Sequence, residues 1–344
     1  MKRARLTAIE ELTFEDVDKP SPEEREVTIE VKVCGICGSD VHTFQGKHPF
    51  VHPPIVLGHE FSGVVDEVGD RVDNFRPGDR VTVEPNLPCG ACYNCRHGRY
   101  NICENLQVIG NVGYDGAFAE FITVPADRVV PIPDGITYDQ AALIEPAAVG
   151  VHGVRASEGE IGDRVIVFGA GTIGLSILSS VRAAGAKQVV VSDLSDYRLK
   201  IAEELGGDVT YNPSRSARDL EDLVLDTFDG SKADIIYDCV GVEETINEAI
   251  SVARKGSQIV LLGVPEGNLN VNMAFLQDRE LEIKGSLMYV RKDFHEAIEL
   301  IHGGKFKVDK LITHRFSFDE LERAFQLAID ETKMGEKMKI LVEF

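Results

Sequence analysis

Apolar and polar residues alternate through Val27-Thr28-Ile29-Glu30-Val31-Lys32-Val33, the two-residue period of a strand with one face buried. Further short β-like runs follow at Phe61 to Val68, Arg80 to Glu84, Phe118 to Val124 and Val129 to Ile132. Turn signals such as Pro77-Gly78-Asp79 and Pro133-Asp134-Gly135 separate them. The stretch 1–150 is therefore expected to be a mostly β domain. After Gly162-Asp163 the texture changes to short apolar strands alternating with helical stretches. The strands are expected at Arg164 to Phe168, Gln188 to Ser192, Ile235 to Asp238 and Gln258 to Leu262, and the helices at Thr172 to Ala184, Tyr197 to Leu205 and Val242 to Val252. Repeated β-α-β units over 151–290 predict an α/β, doubly wound parallel sheet, because parallel neighbours need a crossover helix. The remainder, 291–344, predicts helices from Asp293 to His302 and from Phe318 to Ile329. The closing run Met338 to Phe344 is expected to be a strand that rejoins the first domain.

Length agrees with this division, since 344 residues exceed one ordinary core and favour about two domains. The chain holds no run of eighteen apolar residues, and the basic start Met1 to Leu6 runs into Glu10 and Glu11 without an apolar stretch, so a cytoplasmic location is expected. A formal charge of -21 repels phosphate backbones and anionic membranes, and no local basic patch offsets it. Neither a nucleic-acid nor a membrane partner is expected. Of the seven cysteines, four fall between Cys89 and Cys103, which points to metal binding in a reducing compartment rather than to disulfides.

Three local constellations carry chemistry. The run Val165 to Phe168 leads into Gly169-Ala170-Gly171-Thr172-Ile173-Gly174, a G-x-G-x-x-G that opens a helix. Gly169 permits the tight turn, Gly171 lets a pyrophosphate approach, and Gly174 lets helix and strand pack closely. The amides of the first helical turn, at Thr172 and Ile173, face the phosphates. The next strand ends in Asp193, where a carboxylate accepts hydrogen bonds from the adenosine ribose and repels a 2′-phosphate, favouring NAD over NADP. Arg198 lies close by in sequence, where its guanidinium either pairs with a phosphate or packs by the adenine or on the helix surface.

The second constellation is Cys89, Cys92, Cys95 and Cys103, a C-x2-C-x2-C-x7-C lobe over 89–103. Four thiolates satisfy a tetrahedral zinc and leave no open position, which marks a structural site. The third is dispersed: Cys37, His59 with Glu60, and Glu145. One thiolate, one imidazole and one or two carboxylates form a mixed set that leaves zinc an exchangeable position, as catalysis requires. Cys34 and Cys239 are read as core cysteines.

Taken in order, Cys37-Gly38-Ser39-Asp40-Val41-His42, Gly58-His59-Glu60, the four-cysteine lobe, Ala141 to Pro146 and the glycine loop resemble the zinc-containing medium-chain dehydrogenase/reductase family, especially its polyol branch. That branch includes sorbitol, butanediol, galactitol-phosphate and threonine dehydrogenases. The resemblance spans nearly the whole chain. It implies a GroES-like catalytic domain with a Rossmann domain inserted, two zinc ions per subunit, NAD as cofactor and a homo-oligomer, dimer or tetramer. It carries catalytic-zinc roles to Cys37, His59 and Glu60, with Glu145 as fourth ligand or exchange partner. A glutamate at 145, where enzymes of primary alcohols usually carry cysteine, points to the polyol side. The implied reaction oxidises a secondary hydroxyl to a ketone, with Ser39 taking the hydroxyl proton and passing it through the cofactor ribose to His42 and solvent.

Gly285-Ser286-Leu287-Met288-Tyr289 departs from the family, since many sorbitol-type relatives carry an arginine in this stretch. Phe44 and Phe275 are candidate pocket walls, although an aromatic residue is more often simply core. A threonine 3-dehydrogenase would run the same chemistry but needs a cation for the substrate carboxylate, and none is evident. A zinc-ribbon binding module is opposed by the charge, the glycine loop and the mixed metal set.

Overall fold

The computed structural model describes residues 1–344 apart from Glu266, Met334 and the side chain of Glu331. The chain divides into two compact units. One contains Met1–Glu145, Val308–Lys333 and Lys337–Phe344; the other contains Pro146–Lys307 with 335–336.

The first unit is built on a seven-stranded sheet around Glu26–Ile36. That strand pairs antiparallel with Glu60–Val68, with Phe121–Pro125 and with the terminal strand Lys339–Glu343. The register sets Ile340 opposite Ile36 and Val342 opposite Cys34, so the chain end does rejoin the β unit. Lys339–Glu343 pairs in parallel with Ile312–Ser317 on its other side. Beneath the sheet, Phe44 stacks on Phe325 at 4.8 Å between ring centroids, and Phe118 meets Phe325 edge-on at 5.7 Å. All three rings are buried. Burial of each such side chain contributes about 1.5–3 kcal/mol. Phe44 is thus core, the commoner place for such a ring, rather than a pocket wall: it stands at the last position of the helix Gly38–Phe44 and faces Phe325.

The second unit is a six-stranded parallel sheet in the order Val209–Tyr211, Gln188–Ser192, Arg164–Phe168, Ala233–Asp238, Ala253–Leu261, Glu282–Gly285. Numbered along the chain this is 3-2-1-4-5-6, the doubly wound arrangement whose ligand crevice opens at the carboxyl ends where the order reverses. The helix Thr172–Ala184 ends at Gly185, whose φ of 97° only glycine adopts without penalty.

The unit bounds, Glu145/Pro146 and Lys307/Val308, differ from those expected at 150 and 290. The cause is packing. The helix Arg291–His302 buries Phe294, Ala297, Ile298 and Ile301, and its Asp293 carboxylate accepts hydrogen bonds from His152 Nδ1 (2.7 Å) and Arg155 Nε (2.5 Å). That helix belongs with Ile144–Ala156, the helix of the second unit that carries His152 and Arg155.

Candidate metal and dinucleotide sites

Cys37 stands where Glu26–Ile36 gives way to the helix Gly38–Phe44, and His59 and Glu60 stand at the start of Glu60–Val68, the neighbouring strand. Register does the rest, setting Glu60 opposite Gly35. A Cys37 sulfur, a His59 ring nitrogen and a Glu60 oxygen come within 4.8 Å of one another. Gly35 is required here, because a Cβ at that position would lie 2.4 Å from Glu60 Oε2.

Two residues that the sequence reading missed organise this centre. Asp40, fully buried, accepts the Cys37 N–H at 2.9 Å and the Gly58 N–H at 3.4 Å, which ties both ligand-bearing segments to one carboxylate. Its Oδ1 is 3.5 Å from His59 Nδ1, which is buried without a hydrogen-bond partner. Burial disfavours a proton on His59, but the negative charges of Asp40 and Cys37 outweigh it and hold the imidazole well above its ordinary range. The donor set favours positive charge at this point, and a thiolate, an imidazole and a carboxylate are a chemical fit for zinc.

Lys339 is the second. Buried on the terminal strand, its Nζ donates to both Glu60 oxygens, at 2.7 and 2.5 Å, and to the Ile36 carbonyl at 3.2 Å. Burial lowers its pKa, yet Glu60 and Cys37, with a smaller contribution from Glu145, raise it overall, so the ammonium stays charged. Its signal in the sequence is a lysine inside the apolar run Met338 to Phe344. Glu145, buried near the start of the helix Ile144–Ala156, lies outside the three-residue donor cluster. Ser39 and His42 are both half-buried and three residues apart on one short helix, so they share a face.

In the lobe, sulfur separations are 3.5 Å for Cys92–Cys95, 3.9 Å for Cys92–Cys103 and 4.0 Å for Cys89–Cys95. A tetrahedron with Zn–S bonds of ~2.3 Å has edges of about 3.8 Å, so the four thiols already hold the required shape. The backbone amides of Ala91 and Cys92 bring the Cys89 thiol down to about 6, which supplies a thiolate at neutral pH. Replacing Cys95 with Ser should therefore remove one tightly held zinc and lower stability, as metal analysis of the purified variant would show. An unchanged zinc count would reject this site.

The glycine loop lies in the second unit. Gly169 has φ 89°, and a Cβ on Gly174 would lie 1.7 Å from the Gly169 carbonyl oxygen. Gly171 caps the helix that Thr172 and Ile173 open. The Asp193 carboxylate accepts the Ala170 N–H at 2.7 Å and the Ser195 N–H at 2.8 Å, which fixes it at the rim of the loop. The Arg198 guanidinium sits 4.0 Å from where a Gly171 Cβ would stand, beside the loop. Phe275 is partly exposed beneath the Arg279 guanidinium. Cys34 is fully buried and Cys239 half-buried.

A β unit with two sets of metal-ligand side chains, together with a doubly wound unit carrying a dinucleotide loop, defines a zinc-dependent dehydrogenase. Residues 23–134 match the model of the alcohol dehydrogenase GroES-like domain, and residues 172–303 that of the zinc-binding dehydrogenases. The chain is 37% identical to a probable D-xylulose reductase A of Aspergillus clavatus, covering 98% of this chain and 95% of that protein. It is 34% identical to sorbitol dehydrogenase 1 of Saccharomyces cerevisiae, covering 92% and 90%. An alcohol dehydrogenase from Escherichia coli CFT073, solved with NADH, superposes with a TM-score of 0.92 at 34% identity over 100% of this chain and 99% of that one. The chain belongs to the zinc-containing alcohol dehydrogenase family, in its polyol branch.

Proposed function

We propose that this protein oxidises a secondary hydroxyl of a small alcohol or polyol to a ketone, with NAD as hydride acceptor. The observation that carries the reading is the convergence of Cys37, His59 and Glu60, with Glu60 also held by Lys339. Cys37, His59 and Glu60 would hold a zinc ion, which when bound would supply a Lewis acid to make the substrate hydroxyl more acidic, and bound NAD would supply the acceptor for the hydride. Ser39 takes the hydroxyl proton while giving up its own toward the cofactor ribose, and His42 passes it from there to solvent. Glu60 is shared between the donor set and Lys339, which holds it through both oxygens, and Glu145 acts as exchange partner. Asp193 orients the adenosine ribose and disfavours a 2′-phosphate, while Gly169, Gly171 and Gly174, with the amides of Thr172 and Ile173, receive the pyrophosphate. Arg198 assists at the loop.

Seven unbridged cysteines suit a reducing cytoplasm, and no helix among the described residues is long and apolar enough to cross a membrane. A homo-oligomer is part of the same reading: Glu282–Gly285, at the edge of the parallel sheet, is exposed along its whole length.

NADH formation measured across polyols, vicinal diols, sugar acids, phosphorylated polyols and threonine tests the proposal. Turnover of secondary alcohols with NAD is expected. Zinc-loaded protein that reduces neither NAD nor NADP with any of them would overturn it, and turnover confined to threonine would replace the polyol assignment.

A further inference from the structure

His48, which the metal centre does not use, closes a small loop. Its Nδ1 accepts the backbone N–H groups of Phe50 (3.2 Å) and Val51 (3.1 Å), the pattern by which an Asx side chain caps a turn two and three residues on. Only a neutral imidazole with its proton on Nε2 can do this. The loop is tied back to the Ser39–His42 helix, since the His42 carbonyl accepts the amides of Lys47 (2.7 Å) and His48 (3.1 Å). The segment held this way forms one wall of a cavity of about 700 Å³, whose other walls include Asn111, Tyr114 and Asp115. Phe50 stands on that wall 77% exposed, a large aromatic ring kept in water by a specific cap. Ile55, on the same wall, is four residues before His59 and so at most about 14 Å from it along the chain.

We propose that His48 is a positioning residue that fixes Phe50 as the aromatic wall of the cavity receiving the carbon chain of an uncharged polyol. Phe50 offers a flat apolar face to the C–H side of such a chain, while Asn111 offers a polar group to its hydroxyls. The assignment rests on the dehydrogenase reading and adds the residue that shapes substrate affinity. Protonation of His48 would remove the acceptor. Burial keeps its pKa below the ordinary range, and the groups acting on it are His42 and Asp40 from the helix, His52 from its own loop and His59 from the neighbouring strand; among them only Asp40 favours the proton.

The test compares His48→Ala with His48→Asn, whose side-chain oxygen can accept the same two amides. In His48→Ala the KM for the best alcohol should rise about five-fold or more, the loss expected for one neutral hydrogen-bonding arrangement, with zinc content, NAD affinity and kcat close to wild type. His48→Asn should restore KM, and Phe50→Ala should raise it as His48→Ala does. Amide hydrogen exchange at Phe50 and Val51 should accelerate in His48→Ala and recover in His48→Asn. This readout needs no turnover, so its failure is separable from failure of the dehydrogenase reading. Wild-type KM should rise as pH falls below the ordinary imidazole range, while that of His48→Asn stays flat. Unchanged exchange in His48→Ala would overturn the cap, and accelerated exchange with unchanged KM would overturn the substrate role.

Discussion

Replacing His59 with Ala is expected to cost the protein one of its two zinc ions and to slow alcohol oxidation roughly a thousand-fold or more, the scale of several kcal/mol of lost Lewis-acid assistance. Cys37 and Glu60 alone leave two protein ligands, and Lys339 already holds Glu60 through both oxygens. After loss of the imidazole the Cys37 and Gly58 amides still donate to Asp40, so the two ligand segments stay in place while the metal is lost. NAD affinity should stay within a few-fold of wild type, because Gly169 to Gly174 and Asp193 belong to the other unit. Zinc analysis, fluorescence titration with NADH and steady-state rates on the same preparation check all three parts. Near-normal oxidation by metal-depleted His59→Ala protein would reject the mechanism.

What the sequence made legible was local. The glycine loop and the four-cysteine lobe declare themselves because their spacing is their geometry: a turn into a helix, and a loop short enough to wrap one ion. The helix Thr172–Ala184 was readable at about its full extent, since a glycine marks each end. Asp40 and Lys339 were not legible, because each acquires meaning only from a partner that the strand register supplies. Lys339 meets Glu60 across 279 positions, and nothing near either residue announces the other. Phe44 shows the commoner case: an aromatic residue is more often core than pocket wall, and its ring, at the end of the helix that also carries Ser39 and His42, points into the core. The helix from Asp293 to His302 was legible, but the unit it belongs to was not, because that depends on a distant contact: the Asp293 carboxylate is wholly buried against His152 and Arg155. The hairpin Lys2–Ala8 with Glu11–Asp16 was hidden by its charges, although Ala4 and Leu6 alternate inward.

Lys339 carries the other large effect, and it concerns stability before catalysis. Glu60 and Lys339 are both buried, so removal of the ammonium leaves a carboxylate in a low-dielectric site beside Cys37. Breaking a buried pair from one side costs about 3–5 kcal/mol, far more than the pair gains over a neutral replacement. Lys339→Met, which keeps much of the side-chain length and loses only the charge and its hydrogen bonds, should therefore weaken the first unit sharply. Adding Glu60→Gln to Lys339→Met should return a large part of the loss, because a neutral amide needs no counter-charge; this non-additivity distinguishes an uncompensated charge from lost packing. Amide hydrogen exchange in the strands Glu26–Ile36 and Lys339–Glu343 reads the change directly, with opening expected to be more frequent by about 10²- to 10³-fold or more in Lys339→Met. The strands of the second unit serve as the internal control and should keep wild-type protection. Exchange in Lys339→Met close to wild type, or a double variant no more protected than the single, would show that Glu60 finds its compensation elsewhere, and the bound zinc would then be the first place to look.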